Sequence, residues 1–142
     1  MLRRIVHVTR ARAPYLRALQ ESFAKAMGEE RHFTLLWPEH EASDFPNAAA
    51  VPQADNITVT EVPMGMRVGK ERRLPSLALW KAMDEARPDL VWVHEFSPFT
   101  VSGLLYAKYR SLPVVVSTEV GRANAHFFPW PVRLWHQHWG HF

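Results

Sequence analysis

Two clusters of basic residues mark where chemistry could occur: Arg10 with Arg12, and Arg67, Lys70, Arg72 and Arg73 crowded around Glu71. A guanidinium pairs in bidentate fashion with phosphate or carboxylate, so an anionic partner is one reading, and a merely solvated, charged surface is the other. Glu95 and Ser97 follow one apolar run, and Thr118, Glu119, Gly121, Arg122, Asn124 and His126 follow another. The net charge is only +3, but it is unevenly spread. Residues 1–28 carry Arg3, Arg4, Arg10, Arg12, Arg17 and Lys25 against Glu21, whereas residues 29–66 are predominantly acidic.

Several chemistries are excluded. There are no cysteines, so disulfides, thiolate catalysis and Cys-based metal sites are absent. Of the 8 histidines, His136 and His138 lie two apart, which splays them on a helix, and His7 sits inside an apolar run and reads as a core residue. No HExxH pair exists, and neither a metal nor a cofactor is expected. The stretch Thr9-Arg10-Ala11-Arg12-Ala13-Pro14 has no glycine, against a dinucleotide fingerprint, and no GxxxxGK[ST] loop occurs. A phosphoacceptor receiver would need acids where Thr9-Arg10 and Val62-Pro63 stand. The basic residues fall in loops without an RRM, KH or helix-turn-helix pattern, so no nucleic-acid partner is expected.

The elements that would position these residues alternate in type. Arg4 to Val8 is a short β-branched strand, Thr9 to Ala13 a turn, and Pro14 opens a helix carrying Leu16, Leu19, Phe23 and Met27 at helical spacing up to Gly28. Phe33 to Trp37 is a strand stopped by Pro38, and residues 38–56 are a long loop. Ile57 to Val62 alternates as a strand with one wetter face, and residues 63–73, with Pro63, Gly65 and Gly69, form a loop. Pro75 to Ala86 is a helix. Leu90 to His94 is a near-continuous apolar run, the mark of a central parallel strand covered on both faces. Ser97-Pro98 caps and opens a helix reaching about Arg110, and Pro113 to Ser117 is a last apolar strand.

Strand–helix alternation calls for an α/β, Rossmann-like parallel sheet with right-handed crossovers and helices on both faces. The expected strand order is 3-2-1-4-5, with the switch point between the strands at 4–8 and 90–94, and ligands bind at the carboxyl ends beside such a switch. Both basic clusters then fall on that edge. A helix N-terminus there adds N–H groups suited to phosphate. The length suits one domain. No apolar run approaches the roughly 18 residues of a membrane span. The first residues lack a signal-like apolar stretch, so a cytoplasmic address is expected. The aromatic segment 127–139, with three Trp, two Phe and Arg133, reads either as an interfacial helix at the inner face of a membrane or as a core helix awaiting a neighbour.

The stretch Arg87-Pro88-Asp89-Leu90-Val91-Trp92-Val93-His94-Glu95, with Ser97-Pro98-Phe99-Thr100 and Leu112-Pro113-Val114-Val115-Val116-Ser117-Thr118-Glu119, resembles the N-terminal half of a GT-B glycosyltransferase. The closest resemblance is to the retaining family 4 group, with its "(K/R)PDxVxxH" strand, helix and "PVVxTxH" strand. It covers most of residues 4–122. It implies a single Rossmann-like N-terminal domain over 1–142, cut short and inactive alone. A nucleotide-sugar donor would be held by a second domain bearing E-x7-E, and a glycan or lipid acceptor by this half. It also implies Glu119 as the group that positions or polarises the acceptor, with Arg12 and Arg122 in the cleft. Arg10, Glu95, Ser97 and Arg72 complete the candidate binding residues on the edge. The sequence departs from the family where Ala11-Arg12-Ala13 replaces a Gly-Gly pair, and where Glu119 or Val120 replaces a histidine. A stand-alone binding module for a phosphorylated small molecule is the alternative.

Overall fold

A computed structural model describes residues 2–10, 14–39, 51–68, 72–75 and 77–118. The chain runs β1 (Arg4–Thr9), α1 (Pro14–Met27), β2 (His32–Pro38), β3 (Ile57–Val62), β4 (Met64–Val68), β5 (Arg72–Pro75), α2 (Leu77–Ala86), β6 (Leu90–His94), α3 (Pro98–Tyr109) and β7 (Val114–Ser117). Five strands form one sheet in the order β3-β2-β1-β6-β7, every neighbouring pair parallel. This is the expected 3-2-1-4-5 arrangement, with the switch between β1 and β6.

Strand alternation builds the two cores. Val6 and Val8 of β1, Val91 and Val93 of β6, Leu36 and Val62 face Leu79 and Met83 of α2 and Phe99, Tyr106 and Ala107 of α3. The other face presents Ile5, Phe33, Leu35, Trp37 and Trp92 to Ala24, Phe23 and Met27 of α1. On α1 the buried positions Leu16, Gln20 and Ala24 recur every four residues, as a helix lying on a sheet requires. Gly28 follows at φ 80°, the left-handed conformation that ends a helix at no steric cost. α3 approaches β1 so closely that a Cβ on Gly103 would stand 3.0 Å from Val8 Cγ2. β7 lies at the sheet margin, with Val115 and Val116 exposed.

Polar contacts lock the ends. Asp89, just before β6, accepts from the backbone N–H groups of Arg3 and Arg4 through Oδ2, each at 2.9 Å, and its own N–H donates to the Arg4 carbonyl. Those two backbone N–H groups, ahead of the Arg4 guanidinium, hold the Asp89 carboxyl below its ordinary range. Between α2 and α3, the Tyr106 hydroxyl donates to Asp84 Oδ1 at 2.8 Å and Arg110 Nη2 donates to the same oxygen at 2.6 Å. Asp89→Ala strips two charge-assisted bonds at a partly wet site and is expected to lower stability by about 1–2 kcal/mol, read from the urea midpoint. Because its folded pKa is depressed, the carboxyl's contribution is present above the unfolded carboxylate range and fades as pH falls through the folded value. Equal midpoints for variant and wild type at neutral pH would show that the β1–β6 ends are joined by the ladder alone.

One expectation is corrected. The expected loop at 63–73 holds two strands: β4 and β5 pair antiparallel, with a register shift between Met64 and Arg67. Pro63, Gly65 and Gly69 suggested irregular chain, but Met64, Met66 and Val68 alternate with other residues at strand period, and the shift absorbs the irregularity that the glycine announced. α2 likewise begins at Leu77 rather than Pro75.

Candidate functional site

The carboxyl ends of β1, β6 and β7 form one edge. Thr9, His94 and Ser117 occupy one cross-strand row there. The Trp92 indole N–H donates to Ser117 Oγ at 2.7 Å, and His94 Nδ1 lies 2.9 Å from the same oxygen. An indole N–H can only donate, so Ser117 Oγ accepts from Trp92, while the direction of its hydrogen bond with His94 Nδ1 follows the His94 tautomer. His94 Nε2 lies 4.0 Å from Glu95 Oε1.

Glu95 adopts φ 61°, a conformation rare outside glycine, asparagine and aspartate. Its N–H donates to the Ser117 carbonyl at 2.8 Å, and its carbonyl accepts from the Thr100 hydroxyl at 3.0 Å. Thr100 is fully buried, so the backbone is held from both sides. The Glu95 carboxylate consequently sits partly exposed at the switch point, beside the first turn of α3.

Ser97 also lies on this edge. Its Oγ accepts from the Thr100 N–H at 3.2 Å while its N–H donates to Thr100 Oγ1 at 2.8 Å, a reciprocal cap that engages part of the helix N-terminus. Arg10 is exposed at the end of β1. Arg72 stands opposite Val68 in the β4–β5 ladder, away from the Glu95–Ser97 segment in sequence but on a hairpin that springs from the carboxyl end of β3. Arg12, Glu119 and Arg122 lie outside the described residues, as do Lys70, Gly121, Asn124, His126 and the 127–139 segment. The structure therefore brings Glu95, Ser97 and Arg10 to the predicted edge. It adds Trp92, His94 and Ser117, which sequence reasoning missed. For His94 and Ser117 the signal was a polar residue closing an apolar run in adjacent parallel strands, whereas Trp92 lies inside its run and gave none.

His7 is buried, as its place in β1 suggested. It stacks on Trp92 with centroids 4.0 Å apart, and its Nδ1 lies 3.3 Å from Gln20 Nε2. Desolvation, assisted by the nearby His94, pushes its pKa down to about 3. Among the described residues no helix is long and apolar enough to cross a membrane.

Comparison with known proteins agrees with this geometry. The crystal structure of a UDP-N-acetylglucosamine 2-epimerase superposes with a TM-score of 0.56 at 18% identity, taking in 96% of this chain and 39% of that one. At that identity the likeness speaks for the fold, a GT-B-type Rossmann-like sheet, and the chain spans 39% of the length of that protein. No curated protein matches the sequence. The family model described as glycosyl transferase 4-like matches residues 42–138, which takes in β3 to β7 and the β6 and β7 part of the edge just described. A match over more than half of the chain, on a sheet of this topology, makes the protein a member of the glycosyl transferase 4-like family.

Proposed function

We propose that this chain is the acceptor-side half of a glycosyltransferase that moves a sugar from a nucleotide-sugar to a glycan or lipid acceptor. The observation that carries the reading is the family match over the β6 and β7 side of the carboxyl edge, where Glu95 is held in a left-handed conformation from both sides. The neighbour in fold, a UDP-N-acetylglucosamine 2-epimerase, supports a nucleotide-sugar as the small molecule. In this reading a second Rossmann-like domain binds the donor, and the edge built by Arg10, Glu95 and Ser97 faces it across a cleft. Arg12, Glu119 and Arg122 are the further cleft residues, with Glu119 positioning the acceptor hydroxyl. The carboxylate of Glu95 accepts a hydrogen bond from the acceptor, and the capped start of α3 fixes where that acceptor lies. The setting is the cytoplasmic side of a membrane, with residues 127–139 as the contact.

The test is release of nucleoside diphosphate from a panel of nucleotide-sugars. Residues 1–142 alone are expected to leave every donor intact. The same chain joined to a donor-binding domain is expected to consume one of them, with Glu95→Gln lowering the rate about 10-fold or more through the lost charged acceptor. Turnover by residues 1–142 alone would refute the two-domain reading.

A further inference from the structure

Ser117, opposite His94 in the β6–β7 register, connects to the end of β6 in two separate ways. Its carbonyl accepts from the Glu95 N–H at 2.8 Å and so holds the Glu95 backbone. Its Oγ accepts from the Trp92 indole N–H at 2.7 Å and lies 2.9 Å from His94 Nδ1, so it holds the His94 ring. That ring is buried and also stands edge-on to His7, with centroids 6.2 Å apart. Its other nitrogen, Nε2, is the one 4.0 Å from Glu95 Oε1. A continuing strand would not bring these two side chains together. Consecutive strand residues point to opposite faces, so an extended Glu95 would turn its carboxylate away from His94. The left-handed φ of 61° breaks the alternation, and the carboxylate meets the ring. A residue other than glycine held in that region stores strain, and such residues gather at functional sites.

We propose that His94 is a positioning residue: its Nε2–H holds the Glu95 carboxylate in place for the acceptor, and Ser117 Oγ, fixed by Trp92, holds the ring that does so. That Glu95 meets an acceptor rests on the function proposed above. The chain of contacts rests on the distances and the register alone.

The carboxylate selects the tautomer. An N–H on Nε2 is attracted to the Glu95 oxygens, whereas a lone pair there is repelled by them. With the proton on Nε2, Nδ1 is an acceptor. Ser117 Oγ spends a lone pair on Trp92 and still has its own proton to donate to Nδ1. The donors then run one way, from Trp92 to Ser117, from Ser117 to His94 and from His94 toward Glu95. The other tautomer sets two N–H donors on one Ser117 oxygen and a lone pair against a carboxylate.

The 142-residue chain carries the test, by NMR. Long-range 15N–1H spectra of the neutral His94 ring are expected to show its proton on Nε2. Three-bond couplings are expected to show the Glu95 side chain in one rotamer. Ser117→Ala removes the Oγ but keeps the carbonyl that holds the Glu95 backbone, so averaged Glu95 couplings are expected from loosening of the ring alone. Ser117→Thr returns the hydroxyl and is expected to return the single rotamer. His94→Gln places an amide N–H near the position of Nε2 and is expected to keep the rotamer, whereas His94→Asn reaches only to Nδ1 and is expected to lose it. If the His94 variants fail to fold by circular dichroism, the Ser117 pair carries the test. A Glu95 side chain as ordered in Ser117→Ala and His94→Asn as in wild type overturns the proposal, and so does a wild-type ring protonated on Nδ1. In a two-domain form that transfers sugar, Ser117→Ala is expected to raise the acceptor KM about 2–10-fold without moving the donor KM. A role in stability alone would lower the folded fraction and leave both KM values as they were. A Glu95 held by His94 in a protein that transfers no sugar in any two-domain form defeats the function and leaves the positioning standing. Sugar transfer with a Glu95 side chain indifferent to Ser117 and His94 defeats the positioning alone.

Discussion

Gly103→Val is expected to lower the unfolding free energy by about 3 kcal/mol, and Gly103→Ala by about 1 kcal/mol. The contest is between two terms. Any residue other than glycine or proline improves the helical propensity of α3, with alanine gaining about 1 kcal/mol. Against this, an added Cβ would lie 3.0, 3.2 and 3.3 Å from Cγ2, Cγ1 and Cβ of Val8. Val8 cannot easily give way. It is fully buried, its β-branched side chain is stiff, and β1 is fixed between β2 and β6. Relief must come from moving α3 off the sheet, which loosens Phe99, Tyr106 and Ala107 as well. Valine adds two methyl groups to the same gap. Urea midpoints at unchanged m-value would read the effect. Stabilisation of the alanine variant by its full propensity gain would show that α3 rides higher above β1 than these distances state.

Acid should destabilise the fold well above the carboxylate range, and His7 is the reason. Gln20 Nε2 can only donate, so His7 Nδ1 accepts, and the ring is neutral with its proton on Nε2. Burial between Trp92 and α1 holds its pKa at about 3, whereas in the unfolded chain it titrates at 6.5. Between these values the unfolded state binds the extra proton, so stability rises with pH and falls as pH is lowered. The loss amounts to about 1.4 kcal/mol per pH unit, or about 2 kcal/mol between pH 6.5 and 5. His7→Asn keeps an acceptor for Gln20 and removes the titration. It is expected to be less stable at neutral pH, through the lost stack on Trp92, but to have a flatter stability profile from pH 6.5 to 5. Identical slopes in variant and wild type would place the acid sensitivity elsewhere.

Much of this architecture is legible in the residues, for identifiable reasons. Leu90 to His94 is apolar on both strand faces, and β6 is covered on both faces. His7 read as a core residue because an apolar run surrounds it, and the Trp92 stack bears that out. The hairpin was hidden because glycine and proline speak for local irregularity, while pairing between β4 and β5 is a tertiary choice that Met64, Met66 and Val68 signal only faintly. Asp89 drew notice only as part of the Arg87–Glu95 motif. The structure shows it just ahead of β6, tying that strand to β1. At the site, Glu95 and Ser97 were recognisable as polar residues after an apolar strand. That Thr100 would be spent on holding the Glu95 carbonyl depends on a φ of 61°, which no spacing rule foretells. The Trp92–Ser117–His94 contacts needed β6 and β7 to be neighbours in register before they could be seen.

The central position of β1 also sets a timetable. Its left-hand neighbour, β2, follows after one helix, but its right-hand neighbour comes far later: Asp89 and the Arg4 N–H it receives are 85 residues apart in the chain. On a ribosome adding about 5–20 residues per second, that separation corresponds to roughly 4–17 s. Throughout this interval β1 has its β2 side available for pairing and a bare hydrogen-bonding edge on the other, with Val6 and Val8 still lacking α3 above them. The central strand of the finished sheet is thus the one that waits longest for its second neighbour while the protein is being made. The valines and isoleucine that make β1 a good centre also make it the segment most in need of shelter during synthesis.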